Sequence, residues 1–152
     1  MLDNPNEQKY YNYKVQSQRL KKALDNGFLL EAMFIEYAML EDRTEAILRY
    51  EGNTITSNGH ITINRKLNKI KSIAQEKKSL ANKYFTDELI DQISIWKDKR
   101  NSMIHAMMKQ SFSTVELQEL ADEGLYLVKT LNRLSTNYKR AVERKNKFPK
   151  RI

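Results

Sequence analysis

Residues 28–50 read FLLEAMFIEYAMLEDRTEAILRY, and the first half of this run is apolar nearly all the way round a helical wheel: Phe28, Leu29, Leu30, Met33, Phe34, Ile35, Met39 and Leu40. A helix of that kind is buried on most sides, with other helices packed about it. The run predicts a central helix from Phe28 to Tyr50 and, with it, an all-α fold. Only four Gly and two Pro occur in 152 residues, too little turn chemistry for an all-β chain, and 40% apolar content is too much for disorder. The length sets an expectation of one domain around one core. Glu31 and Glu36 interrupt the apolar stretch, which falls short of the roughly 20 residues needed to span a bilayer, so no membrane partner is expected.

Outward from this helix, the punctuation marks its neighbours. A preceding helix covers about Asn6 to Leu24 and stops at Asp25-Asn26-Gly27, where Gly supplies the left-handed residue that ends helices. On the other side, Glu51 to His60 holds Gly52, Asn53, Ser57, Asn58 and Gly59, a loop and the most flexible internal segment expected. A basic third helix follows over about Thr62 to Lys78, with Ile63, Leu67, Ile70 and Ile73/Ala74 forming a narrow buried stripe that places it on the outside. The fourth starts behind Thr86 as N-cap, carries Asp87 and Glu88 in its first turn, and runs to about Gln110. After a break at Ser111 to Thr114, the capping-box spacing of Ser113 and Glu116 opens a long fifth helix ending near Pro149. The expected fold is an antiparallel helical bundle of four to five helices in residues 1–148, with a short basic tail at 149–152.

The sequence contains no cysteine, which excludes disulfides, thiolate metal sites and cysteine nucleophiles. The polar start from Met1 to Gln8 has no signal-peptide core, and a cytoplasmic location is expected. Net charge is +8, and the excess is segregated. Arg65 to Lys83 has seven basic residues against Glu76 alone, Lys139 to Arg151 has seven against Glu143 alone, and Phe28 to Tyr50 carries −3. Basic surface of this kind suits RNA or an acidic protein, though Lys-rich helix faces are often only solvated.

One position breaks the apolar pattern. On the fourth helix Leu89, Ile93, Trp96, Met103, Ile104 and Met107 form one stripe, and Arg100 falls in its middle. A guanidinium does not shed its charge in a protein, so it requires an anion, water or a polar cleft between subunits. Asn101 and His105 are four residues apart on the flank of the same helix and are therefore neighbours. An internal ion pair with Glu36, which lies on a buried face of the second helix, also accounts for Arg100, and a hydrogen-bonded, inert imidazole also accounts for His105.

Arg100-Asn101-Ser102-Met103-Ile104-His105 resembles the Arg, four variable residues, His pattern of HEPN domains, small helical proteins of prokaryotic toxin–antitoxin, abortive-infection and CRISPR-associated systems. The surroundings are similar too: a long second helix with Leu29 to Tyr37, Asn101 directly after the Arg, Trp96 one turn before it, and a following amphipathic helix with Gly124. The likeness spans about Phe28 to Tyr138. It implies a metal-independent endoribonuclease in which two protomers join their motifs across a homodimer cleft. In that scheme His105 transfers protons, Arg100 stabilises the phosphate oxygens, Asn101 orients one or the other, and Glu36 supports Arg100. An antitoxin or immunity protein is an implied further partner. The Tyr that stands two residues after the His in members silenced by nucleotide addition is here Met107, a departure from that pattern.

Two other readings of the same residues stand beside this one. One is a catalytically silent, HEPN-like interaction module that regulates a partner protein. The other is an unrelated basic bundle binding nucleic acid without cutting it, through tyrosines such as Tyr10, Tyr11, Tyr13, Tyr84, Tyr126 and Tyr138, which more often serve cores or interfaces. No cofactor or metal site is implied, because His60 lies far from His105 in sequence and no His or carboxylate cluster has ligand spacing.

Overall fold

A computed structural model describes residues 4–52, 61–76 and 78–148. They form α1 (Pro5–Asp25), α2 (Leu29–Tyr50), α3 (Ile63–Gln75), a 3-10 turn (Leu80–Lys83), α4 (Asp87–Ala106) and α5 (Thr114–Lys147). No strand occurs among them. The all-α helical bundle expected from the sequence is what the chain forms, and none of these helices is long and apolar enough to cross a membrane.

The helix ends follow the predicted chemistry. Asn4 caps α1 by accepting from the Asn6 amide, Pro5 occupies its first turn, and Gly27 adopts φ +73° just beyond its end. The Thr86 hydroxyl accepts from Leu89 N at 3.2 Å. Ser113 and Glu116 make both halves of the capping box, at 3.2 and 2.8 Å.

Two helices are shorter than expected. The third ends at Gln75, not Lys78, because Glu76 turns to an extended conformation and Lys78 takes φ 70°. The chain then enters the 3-10 turn, which hydrophobic period did not reveal; the Ser79 hydroxyl caps it by accepting from Ala81 N. The fourth ends at Ala106, four residues before Gln110, leaving Met107 and Met108 outside it. The predicted loop at Glu51 to His60 lies outside the described residues apart from Glu51 and Gly52.

α2 is the central element. It buries ten residues, among them Ala32, Met33, Leu40, Ile47 and Leu48, and packs against α1, α3 and α5. α3 covers one side of it with the predicted stripe of Ile63, Leu67, Ile70 and Ala74, to which the structure adds the buried Lys66. On α4 the stripe includes Leu89, Ile93, Trp96, Arg100 and Met103 as expected, but Ile90 and Lys97 are also buried, whereas Ile104 is only half-buried and Met107 is exposed. The Trp96 indole lies inside and donates to the Leu120 carbonyl at 2.8 Å, tying α4 to α5. Further along α5, Tyr138 is fully buried against Tyr50, Tyr84 and Phe85. It is therefore a core residue and not a stacking platform.

Candidate functional site

The centre of the site is Arg100, on the part of α4 that faces α2. The residue is 8% exposed, and its guanidinium carbon lies 4.6 Å from the centroids of both the Phe34 and the Tyr37 rings. Phe34 and Tyr37 are three residues apart on α2 and so occupy one helix face. Each ring attracts the cation through its quadrupole, by about 0.5–2 kcal/mol depending on desolvation. Burial pulls the pKa of the guanidinium down from its ordinary value, while the neighbouring Tyr37 hydroxyl pushes it up. An Arg remains cationic under such influences.

The polar contacts of this cation are few. Nη1 donates to Asn101 Oδ1 at 2.9 Å, and Nε is buried without a partner among the described residues. No carboxylate among those residues forms an ion pair with it. Two aromatic faces and one neutral amide thus shelter a full positive charge without neutralising it. A guanidinium held this way retains its attraction for an anion that enters from solvent.

Glu36 does not supply that anion. The predicted pairing with Arg100 is not formed, because Glu36 is turned toward α5 and sits fully buried beside Gly124 and Trp96. A Cβ built on Gly124 would stand 2.5 Å from Glu36 Oε1 and 2.6 Å from Trp96 Cζ2, so only glycine lets α5 approach here. Both Glu36 carboxyl oxygens lack hydrogen-bond partners among the described residues. Burial, reinforced by the Asp122 charge, pushes its pKa up to about 9, so the group is a neutral acid near neutral pH. The wheel was right to place Glu36 on a buried face; the relative rotation of α2 and α4 directs Phe34 and Tyr37, and not Glu36, to Arg100.

His105 is exposed in the last turn of α4. Asn101, one turn before it, uses its carbonyl oxygen to hold Arg100. Of the four residues singled out in sequence, the structure therefore joins Arg100 and Asn101 directly, leaves His105 open to solvent on the same helix, and places Glu36 elsewhere. Phe34 and Tyr37 are the members of the site that sequence reasoning missed. Their signal was an aromatic pair at i, i+3 on the central helix.

The basic segments also resolve into two kinds of residue. Lys66 is buried and bonded to Glu41 at 2.8 Å and Glu45 at 2.6 Å, and Lys71 pairs with Asp91 at 3.0 Å. Outside these segments, Lys97 on α4 is likewise buried, bonded to Asn64 and paired with Asp98. Arg65, Lys69, Lys83, Lys139, Arg140, Arg144, Lys145 and Lys147 remain exposed. Comparison of the chain with protein-family models, with curated proteins and with solved structures finds no match.

Proposed function

We propose that this chain is a metal-independent endoribonuclease of the HEPN type, working as a homodimer on RNA. The observation that carries the proposal is the uncompensated cation of Arg100, sheltered by Phe34 and Tyr37 and bonded to Asn101, with an exposed His105 five residues further along the same helix. The chemistry follows from the residue types. An imidazole takes the proton from a ribose 2′-OH, and the freed oxygen attacks the adjacent phosphorus. The bond to the 5′-oxygen breaks, and a protonated imidazole, that of His105 of the partner subunit, returns a proton to it. Arg100 holds the non-bridging oxygens, on which negative charge grows in the transition state. The products carry a 2′,3′-cyclic phosphate and a 5′-hydroxyl. The exposed lysines and arginines draw the polyanion in, and that attraction weakens as salt rises. A place in a toxin–antitoxin or phage-defence system, with an antitoxin or immunity partner, belongs to the same proposal.

The test is cleavage of RNA by purified protein in EDTA, with analysis of the product ends. Wild-type protein leaves cyclic phosphate ends, while Arg100→Ala and His105→Ala each abolish cutting with helical content unchanged. Equal cutting by the His105→Ala protein overturns the proposal. Growth arrest on expression that depends on the same two residues assigns the toxin role.

A second reading, the silent interaction module, is favoured by the low exposure of Arg100 and by the exposed Met107 and Met108 just past the end of α4. Stoichiometric capture of a partner protein without RNA cleavage selects it.

A further inference from the structure

Phe34 has two roles in the geometry. Its ring carries the Arg100 guanidinium, yet 57% of the residue is exposed, and it also lines a separate groove between α1 and α2 of about 400 Å³. Tyr13 lines the same groove from α1, with the Arg43 guanidinium 4.9 Å from its ring centroid. Two amides, Asn12 and Gln16, stand one helical turn apart on α1 along its wall. Asn12 already accepts from Gln8 through Oδ1 at 2.9 Å, which leaves its N–H groups as the edge it presents. The Lys9–Asp42 ion pair, 3.0 Å, bridges α1 and α2 at the groove.

Aromatic walls with amide edges form a combination suited to a flat heterocycle with hydrogen-bonding groups on its rim. Aromatic faces accept any base by stacking, and amides read base edges. The volume is in the range of small-ligand clefts. The groove also adjoins, through the shared Phe34 ring, the buried Arg100 cation, which has no carboxylate partner among the described residues.

We propose that the α1–α2 groove is a nucleobase subsite, taking an unpaired base of the nucleotide that flanks the phosphate held by Arg100. The base stacks on Phe34 and Tyr13, and Gln16 and Asn12 contact its edge. This inference rests on the endoribonuclease reading for its biological ligand, and it makes single-stranded RNA the substrate class, since a paired base is not free to enter the groove.

Binding of nucleoside 5′-monophosphates, followed by NMR of the full chain, tests it without requiring any cleavage. The four mononucleotides at millimolar concentration shift resonances of Tyr13, Asn12, Gln16 and Phe34, and ribose 5-phosphate does not. Phe34→Leu weakens mononucleotide binding about tenfold or more, the loss of one stacked base. Gln16→Ala weakens it about fivefold, the loss of one neutral hydrogen bond, and it leaves the Arg100 contacts intact, so failure of Phe34→Leu to fold does not remove the test. Equal response to ribose 5-phosphate, or shifts confined to Arg100, Asn101 and His105, overturns the subsite. Base-dependent binding by a protein that never cuts RNA overturns the nuclease reading and leaves the subsite standing.

Discussion

Lys66 on α3 and Arg100 on α4 are both buried cations that reach α2, and the two halves of α2 answer them differently. The C-terminal half offers Glu41 and Glu45, whose carboxylates bond Lys66 at 2.8 and 2.6 Å. The N-terminal half offers the Phe34 and Tyr37 rings to Arg100, each 4.6 Å away. Burial pulls the Lys66 pKa down, but its carboxylate partners more than reverse this, and the net shift is upward. For Arg100 burial wins and the shift is downward. A cation with carboxylate partners is a structural tie between helices, whereas one held by aromatic faces and a neutral amide keeps its charge uncompensated. The two halves of α2 thus receive one buried cation with carboxylate partners and one without.

That contrast is breakable in stages. The largest effect expected is on activity: Arg100→Ala lowers RNA cleavage by about a hundredfold to a thousandfold or more, the range for removing one donor that stabilises transition-state charge. Phe34→Glu is the sharper version, because it gives Arg100 the kind of partner Lys66 has. Cleavage falls by a comparable factor while the variant stays folded, which rate assays and thermal melts together check.

Glu36, a fully buried acid on α2 itself, supplies a stability effect. Its folded pKa of about 9 lies above the unfolded value of 4.5, so the native state binds the extra proton between those limits. Stability therefore declines as pH rises through this window, by on the order of several kcal/mol in all. Denaturant midpoints measured between pH 5 and 9 show this decline in wild type, and Glu36→Gln flattens it and is the more stable protein at pH 9.

Lys66→Met leaves Glu41 and Glu45 facing each other without their cation. It costs about 1–3 kcal/mol, less than a fully buried pair would because both carboxylates are partly exposed, and cleavage is unchanged. The smallest effect is that of Asn101→Ala, which removes one neutral amide from Arg100 and lowers cleavage about fivefold, by roughly 1 kcal/mol, in single-turnover assays.

Much of this molecule was legible in the chain. The apolar run of Phe28 to Leu40 marked the central helix, and Asn26-Gly27, Thr86 and Ser113 with Glu116 marked helix ends, because caps and breakers act on neighbouring backbone. Helix ends without such a marker were misjudged, as at Gln75 and Ala106. Within the site, Arg100 was conspicuous as a charge within an apolar stripe, and Asn101 beside it followed from adjacency. Phe34 was read as one more member of the buried apolar run, although it is 57% exposed, and Tyr37 was given no role of its own, since nothing in their own helix shows which neighbour they meet. The same gap led to the pairing of Arg100 with Glu36, two residues whose burial was read correctly and whose contact was not.

The sequence by itself determined the number of helices and most of their ends, because these depend on local hydrogen bonding and on the 3.6-residue period of each segment. Tertiary structure alone decided which buried cation meets carboxylates, which meets aromatic rings, and that the Glu36 carboxyl, against Gly124 and Trp96, has no hydrogen-bond partner among the described residues. Those outcomes depend on the rotation and depth of one helix against another, and each helix's own periodicity fixes only its side of that contact.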